Sequence, residues 1–573
     1  MPGLTGFCGP NAPAVVDTMA GSLLHRSDYV QTRVVSEAKC ALSRIDFGWT
    51  EAESYTHSDG DVSATVWGEV FNLPEIAKSR GLRARSGAEL IGKVVRSEDA
   101  AAILAEIDGI FCAVVCDAVS QTVTLVTDRF GLKHLYHSAS NGYVGFATEV
   151  KALLGLSGEE VQVSQESLDS FWRKGMLSGN RTWFENITLL PPATVTEICM
   201  TTSRVLSQAT YWKPRSAEPD GSFEGDEDEA CELLGKLFRQ AVERRLPQGE
   251  FEIPLSGGLD SRAILAAVPE HRSVTATTFG QATSADYRIA KRVASFRGCE
   301  HQFIEISSRN WLDGRLAGIW WTDGHLNLVH MHGLGPQVAH PVERRVGLSG
   351  YLGGGILGGV YLDYYGSPLL DNIFGRGRRM IAEGLRLRDC FMDFRSRCPY
   401  LDNSLVDCVL TLPREWVAGS RIYHRMLLRE FPQYYTTIPW QQTGYPISYA
   451  QPVAWILDKG NWAVRKFGGP VIRNVRDKNR MGNYAAWVRD GVGRELFEKV
   501  LFSKSALYPQ FIPVEEVKRV WDAHLRGRNE AIRLASCVTI EIWLRQVIEN
   551  RLRPNPDEPE FGLSSRQVLA VLG

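Results

Sequence analysis

At 573 residues the chain is too long for one hydrophobic core, so two or three domains are expected. Lys and Arg number 64 against 66 Asp and Glu, and a net charge of -2 argues against a nucleic-acid or membrane-surface footprint. The 11 cysteines lack paired ligand spacing; the nearest approach, Cys112 and Cys116, sits in an apolar run, which favours buried thiols over zinc or a disulfide framework. With no basic-then-apolar N-terminal segment and no long apolar span, a soluble, cytoplasmic protein is expected, with no nucleic-acid and no membrane partner.

Through about Ser207 the chain reads as short strands, turns and a few helical runs, an α+β pattern. TVWGEVF at 65–71 is strand-like, and IFCAVVCD at 110–117 with TVTLVT at 122–127 reads as a hairpin turning at 118–121. KPRSAEPDGSFEGDE at 213–227 has linker composition. Leu233, Leu234, Phe238, Ala241 and Val242 then mark one face of a helix over 228–246.

FEIPLSGGLDSRAILAAV at 251–268 predicts a strand, a turn at Ser256-Gly257-Gly258-Leu259-Asp260-Ser261, and a helix starting near Arg262. Two glycines permit a sharp turn and close backbone approach, and hydroxyls beside a helix N-terminus suit phosphate. The Lys of a Walker loop is absent, while the Asp260 carboxylate suits Mg²⁺ bridging phosphate oxygens. Strand 274–279, a helix capped by Ser284 running to Phe296, and strand 300–306 continue an alternation that predicts a parallel sheet. Such a sheet takes ligands at the carboxyl ends of its strands.

Thr322-Asp323-Gly324-His325, followed by His330 and His332, lacks metal-ligand spacing and reads as surface or pocket histidines. VGLSGYLGGGILGGVY at 346–361 places Ser349-Gly350 after an apolar strand and ends in paired glycines. Beyond it come RCPYLD at 397–402, RIYHRMLLREF at 421–431 and IPWQQTGY at 438–445, then amphipathic helical runs at 483–501 and 530–552.

The SGGLDS turn resembles the pyrophosphate loop of N-type ATP pyrophosphatases. GEVFN at 68–72, DGIF at 108–111, DRFGLKHLYH at 128–137, FATEVKALL at 146–154 and LLPPATV at 189–195 fall in the order and spacing of the glutaminase domain of asparagine synthetase-like enzymes. The SG…GG and R-x-P-Y-L-D blocks follow in that family's order. The resemblance implies an α+β, Ntn-type αββα sandwich over 1–207, a linker over 208–227, and an α/β ATP-pyrophosphatase domain with a helical C-terminal part over 228–573. It implies ATP and Mg²⁺ as cofactors, with Leu255, Ser256, Gly257, Gly258, Asp260, Ser261, Phe279, Gly280, Ser349 and Gly350 around the nucleotide and Asp260 on the metal.

Four positions depart from the family's pattern. Pro2 stands where the family has its nucleophilic Cys, and a proline ring cannot form an acyl-enzyme. Cys8, the nearby thiol, has no free amine as base and reads as a packing residue. Gly354 takes the place of a second metal-binding Asp, and Thr443 or Gly444 that of a Lys contacting the acyl-adenylate. Arg425, Lys459 and Lys466 are the candidate replacement cations. Tyr351 occupies a position that is a Tyr in the β-lactam synthetase branch, and reads either as a general base partnered by Asp402 or as a rim tyrosine. Asp402 equally suits the N-cap of a helix starting near Ser404.

The expected function is ATP-dependent amide-bond formation through an acyl-adenylate, without glutamine hydrolysis, on a small-molecule or peptide acid and amine. Ring closure, as in β-lactam synthetases and lasso-peptide cyclases, is the leading form. Asparagine synthesis from ammonia and a non-catalytic nucleotide-binding homologue are the alternatives, and a homodimer or a precursor-peptide-processing partner stays open.

Overall fold

The structure is a computed structural model that describes residues 3–47, 55–140, 142–156, 161–177, 179–214, 219–332, 334, 346–359, 382–385, 395–449, 453, 456–457, 459, 481–556 and 568–570. Its N-terminal part builds two antiparallel sheets of six strands each. Strand Gly3–Cys8 lies inside the first, between Cys40–Phe47 and Tyr143–Ala147, and strand Gly109–Asp117 lies inside the second, between Val62–Val70 and Thr122–Thr127.

Gly109–Asp117 is buried on both faces, and its two-residue period divides the side chains between two cores. Cys112, Val114 and Cys116 meet Leu4, Phe7 and Ile45 in the core shared by the sheets. Phe111, Ala113 and Val115 instead join Leu90, Ile91 and Leu104 from the helices Gly87–Val94 and Ala100–Glu106. Helix Ala12–Gly21 packs on the strands of the first sheet, which completes an αββα layering.

The C-terminal part is built on five parallel strands in the spatial order Glu300–Glu305, Thr275–Gly280, Phe251–Pro254, Val346–Leu348, Arg395–Arg397. The chain starts at the middle strand, runs out to one edge, and returns to build the other. That reversal sets the carboxyl ends of Phe251–Pro254 and Val346–Leu348 side by side, where open α/β sheets hold their ligands. Helix Glu227–Arg244 begins in a capping box, with Asp226 accepting the N–H of Glu229 at 2.9 Å and Glu229 accepting the N–H of Asp226 at 3.0 Å. Helix Ala285–Arg297 carries Ser284 as its cap, accepting the N–H of Tyr287 at 3.2 Å.

Two helical expectations shift. The run 483–501 is two helices, Tyr484–Arg489 and Gly491–Leu501, because the chain turns at Gly491 with φ +57°, a conformation glycine tolerates. The final helix spans Ala531–Val547 and is buried nearly all round, lodged against Gln165–Lys174 and Arg315–Trp321. Among the described residues no helix is long and apolar enough to cross a membrane.

Several of the N-terminal sequence blocks face the C-terminal part. Asp108 receives two bonds from the fully buried Arg245 at 2.8 and 2.9 Å, Glu69 receives two from Arg397 at 2.8 and 2.6 Å, and Arg129 pairs with Asp407. Lys151 pairs with Asp323 at 2.8 Å, and Asp323 also accepts the N–H of Val150 at 2.8 Å.

Candidate active site

The turn after Phe251–Pro254 is tied to itself and to its neighbours before any ligand enters. The N–H of Ser256 donates to Ser261 Oγ at 3.1 Å, that of Gly257 to Asp286 Oδ1 at 3.0 Å, and that of Gly258 to Ser256 Oγ at 3.2 Å. Gln441 closes the other side: its N–H reaches the Gly257 carbonyl at 3.1 Å and its side chain reaches Asp286 at 2.6 Å. A methyl on Gly257 would lie 2.9 Å from Gln441 Cβ, so the glycine serves this docking. The two serine hydroxyls sit 3.2 Å apart, and Ser256, Gly258 and Asp260 keep partial exposure. The helix begins at Asp260 rather than near Arg262, because Leu259 is already helical at φ −87°, ψ −37°.

The second turn packs directly on the first. Ser349 donates its N–H to the Arg397 carbonyl at 2.8 Å, and Gly350 and Gly353 then run over Asp260 and Ser261. A methyl on Gly350 would come within 2.9 Å of the Ser261 nitrogen, and one on Gly353 within 2.5 Å of Asp260 Cγ. These glycines let two protein backbones touch. Gly353→Ala is therefore expected to displace the Asp260 carboxylate and abolish any nucleotide-dependent turnover while leaving the far-UV circular dichroism unchanged.

Asp260 is held at both oxygens, Oδ1 by the Tyr423 hydroxyl at 2.8 Å and Oδ2 by the Gly354 N–H at 3.0 Å. Tyr400 donates to the Asp260 carbonyl at 3.0 Å and touches the Tyr423 hydroxyl at 2.8 Å, while Tyr435 donates to the Leu259 carbonyl at 2.9 Å. All three phenols are buried. Removal from water pushes the Asp260 carboxyl up to about 6, against the opposite pull of Tyr423 and Gly354.

An acid raised in the folded state keeps its proton between its unfolded pKa, near 3.8, and about 6. Its contribution is then most favourable below that window and is lost as pH rises through it. Asp260→Asn should flatten this part of the pH–stability curve, measured by urea denaturation without nucleotide.

Leu255 is buried, with its carbonyl taken by Thr278 Oγ1 at 2.8 Å. Phe279 is half-buried against the core, and Gly280, at φ +145°, is approached by the Met481 carbonyl, 3.0 Å from where its Cβ would be. The two positions thus border the strand end that the Met481 segment covers.

Asp402 is engaged by the ion pair and the helix cap that surround it. Its carboxylate accepts Arg244 at 2.5 Å and Arg245 at 3.0 Å and caps helix Asn403–Thr411 through the N–H groups of Ser404 and Leu405 at 3.0 and 3.3 Å. The two guanidinium groups help hold its carboxyl below the ordinary range although burial raises it, which suits an ion-pair member and not a base. Tyr351 is 41% exposed, and the segment against its phenol contains Glu383: a methyl on Gly384 would lie 3.5 Å from the Tyr351 hydroxyl.

Arg425 pairs with Asp228 at 2.6 Å and Glu227 at 3.4 Å on the surface. His424 sets its ring edge-on to Trp440, 5.6 Å between centroids, and burial lowers its imidazole to about 4, so it is neutral. Lys459 is exposed; Lys466 and Pro2 lie outside the described residues. Thr443 bonds within its own loop, to the Tyr445 carbonyl at 3.0 Å. His325 turns to Glu383, while His332 turns to Tyr484 and meets His330 edge-on with 6.1 Å between ring centroids, and among the described residues no group of three His, Cys, Asp or Glu is placed to hold a metal. Cys8 is fully buried opposite Cys40, with 3.9 Å between their sulfurs.

Sequence reasoning passed over Asp286, Gln441, Tyr400, Tyr423, Tyr435 and Glu383. Tyr400, Tyr423 and Gln441 lay inside stretches already singled out, where a phenol or amide among apolar neighbours was the available signal.

Residues 1–212 match the family model of a glutamine amidotransferase domain, and residues 233–372 match that of asparagine synthase. A glutamine-hydrolysing asparagine synthetase 2 of Bacillus subtilis is 26% identical over 312 residues, covering 49% of this chain and 41% of that protein. The amidase chyE of Penicillium rubens is 21% identical, covering 58% and 49%, and a glutamine-hydrolysing asparagine synthetase 2 of Oryza sativa subsp. japonica 24% identical, covering 63% and 59%. The chain spans about half the length of these curated relatives. Among solved structures, a glutamine phosphoribosylpyrophosphate amidotransferase from B. subtilis aligns over 54% of this chain and 91% of its own at 10% identity, with a TM-score of 0.28 that carries no argument.

Proposed function

Because the chain belongs to the asparagine synthetase-like family, we propose that it is an ATP-dependent amide-forming ligase that adenylates a carboxylate, releases pyrophosphate and passes the acyl group to an amine. The observation that carries this reading is the interlock of two glycine turns around Asp260 at the switch point of a parallel sheet.

The residues present fit Mg²⁺ in a restricted way. Each Asp260 oxygen accepts one hydrogen bond, leaving acceptor capacity on both, and Gly354 supplies an N–H where a second acid would stand. Asp260 would be the protein ligand, with phosphate and water oxygens completing the shell, as Mg²⁺ commonly allows. When bound, the ion neutralises charge on the departing pyrophosphate.

Tyr423 and Gly354 hold the carboxylate oriented, and the partly exposed Ser256, Gly258 and Asp260 form the mouth of the turn. The substrate carboxylate oxygen attacks the α-phosphorus, and the bond to pyrophosphate breaks. The amine then attacks the acyl carbon, AMP leaves, and the amine proton passes to a base, for which the exposed Tyr351 phenol is the candidate.

Pro2 offers no thiol for glutamine hydrolysis, which supports an amine carried by the substrate or by a second substrate. Intramolecular ring closure on a small molecule or peptide is the form proposed. A second reading, nucleotide binding without turnover, draws support from Gly354 and Thr443, which stand where the family has a metal-binding Asp and a Lys.

The test is pyrophosphate release from ATP with Mg²⁺ across a panel of carboxylic acids and Asp- or Glu-containing peptides. Release dependent on an acid is expected; ATP binding with no release for any acid would favour the second reading, and glutamine hydrolysis by the chain would overturn the role given to Pro2.

A further inference from the structure

We infer that the N-terminal αββα part acts on the synthetase site directly, through His134 and Tyr136, which hold Glu383 and thereby seat residues 382–385 against the Tyr351 phenol. The inference rests on the reading above only in taking Tyr351 to border the reacting groups.

Glu383 is fully buried, and its Oε1 lies 3.0 Å from His134 Nδ1, 3.2 Å from the Tyr136 hydroxyl and 3.3 Å from His325 Nδ1. The Tyr136 hydroxyl is itself 3.1 Å from His134 Nδ1 and 3.2 Å from His325 Nδ1, so four side chains converge on one point. Two come from the N-terminal part and two from the C-terminal part. A buried carboxylate is tolerated where hydrogen bonds replace its water, so moving Glu383 out of this clamp would forfeit three contacts together. The next residue is Gly384, whose Cα faces the Tyr351 hydroxyl closely enough that an added methyl would lie 3.5 Å away.

Both sides of the clamp stand on rigid supports. Tyr136 opens a strand and pairs with Ala147 and Leu189. His134 follows a turn organised by the buried Asp128, whose carboxylate accepts the N–H groups of Phe130, Leu132 and Lys133. His325 follows the Asp323 turn, which is fixed to Val150 and Lys151. His134 and Tyr136 are thus positioning residues.

The test places 3-fluorotyrosine at position 351 of the full chain and records its ¹⁹F resonance without nucleotide. Tyr136→Phe and His134→Gln are each expected to move the resonance by more than its linewidth. Asp407→Asn, which breaks the Arg129 pair elsewhere on the same interface, is expected to leave it in place. An unmoved resonance in both clamp variants would overturn the inference, as would an equal movement in Asp407→Asn. Circular dichroism monitors folding, and if His134→Gln fails to fold, Tyr136→Phe decides alone. The measurement contains no ATP, so failure here leaves the ligase reading standing, and failure of the ligase assay leaves this result standing.

Discussion

Asp402→Ala should lower the stability of the fold by about 3–5 kcal/mol, the range found when one partner of a buried ion pair is removed. The carboxylate sits between Arg244 and Arg245, and Arg245 is fully buried. Without Asp402, Arg245 would keep Asp108, whose own carboxyl is pushed up to about 6, chiefly by burial. The same substitution strips the cap from helix Asn403–Thr411, a loss of about 1 kcal/mol contained in that range. Asp402→Asn keeps a cap oxygen but not the charge and should fall between the alanine variant and the native chain. Urea denaturation gives the comparison; a loss below about 1 kcal/mol for Asp402→Ala would mean that the pair contributes no more than a surface contact. Because the effect is on folding, any activity that survives in Asp402→Asn should keep its dependence on pH.

Asp260→Asn should behave in the opposite way, leaving folding nearly intact and removing turnover. An amide oxygen can still accept the Tyr423 hydroxyl, while the amide NH2 can no longer accept the Gly354 N–H, a local loss of about 1 kcal/mol. What disappears is the negative charge that would hold the metal, worth several kcal/mol of charge stabilisation, or a fall on the order of 100- to 1000-fold in acid-dependent pyrophosphate release. ATP binding measured calorimetrically in EDTA should change little. Equal loss of binding with and without Mg²⁺ would show instead that the side chain only supports the turn.

The strand, turn and helix around Asp260 were legible because a short apolar strand, two glycines and a polar helix N-terminus fall within one short stretch. The parallel sheet followed from alternating periods over 274–306. The acid placed beside Tyr351 was not legible. Asp402 stood in a motif near the site, but its partner Arg245 is 157 positions away, and nothing local announces that pairing. Glu383 went unseen for the converse reason: its stretch carries no motif, and its importance comes entirely from His134, Tyr136 and His325 meeting it in space. Helical spacing sets Arg421, Arg425 and Arg429 along one face, where each meets one of Glu227, Asp228 and Glu232.

The salt links between the two parts limit how this molecule can be taken apart. Glu69, Asp108, Arg129 and Lys151 each answer an opposite charge on the far side. Grafting the leading part of a relative onto this C-terminal part would succeed only where the donor brings counter-ions at those four places; otherwise Arg397 would lose its carboxylate partner and Arg245 one of its two. Interchangeable cassettes would accumulate sequence changes independently, whereas halves married by charge must drift together.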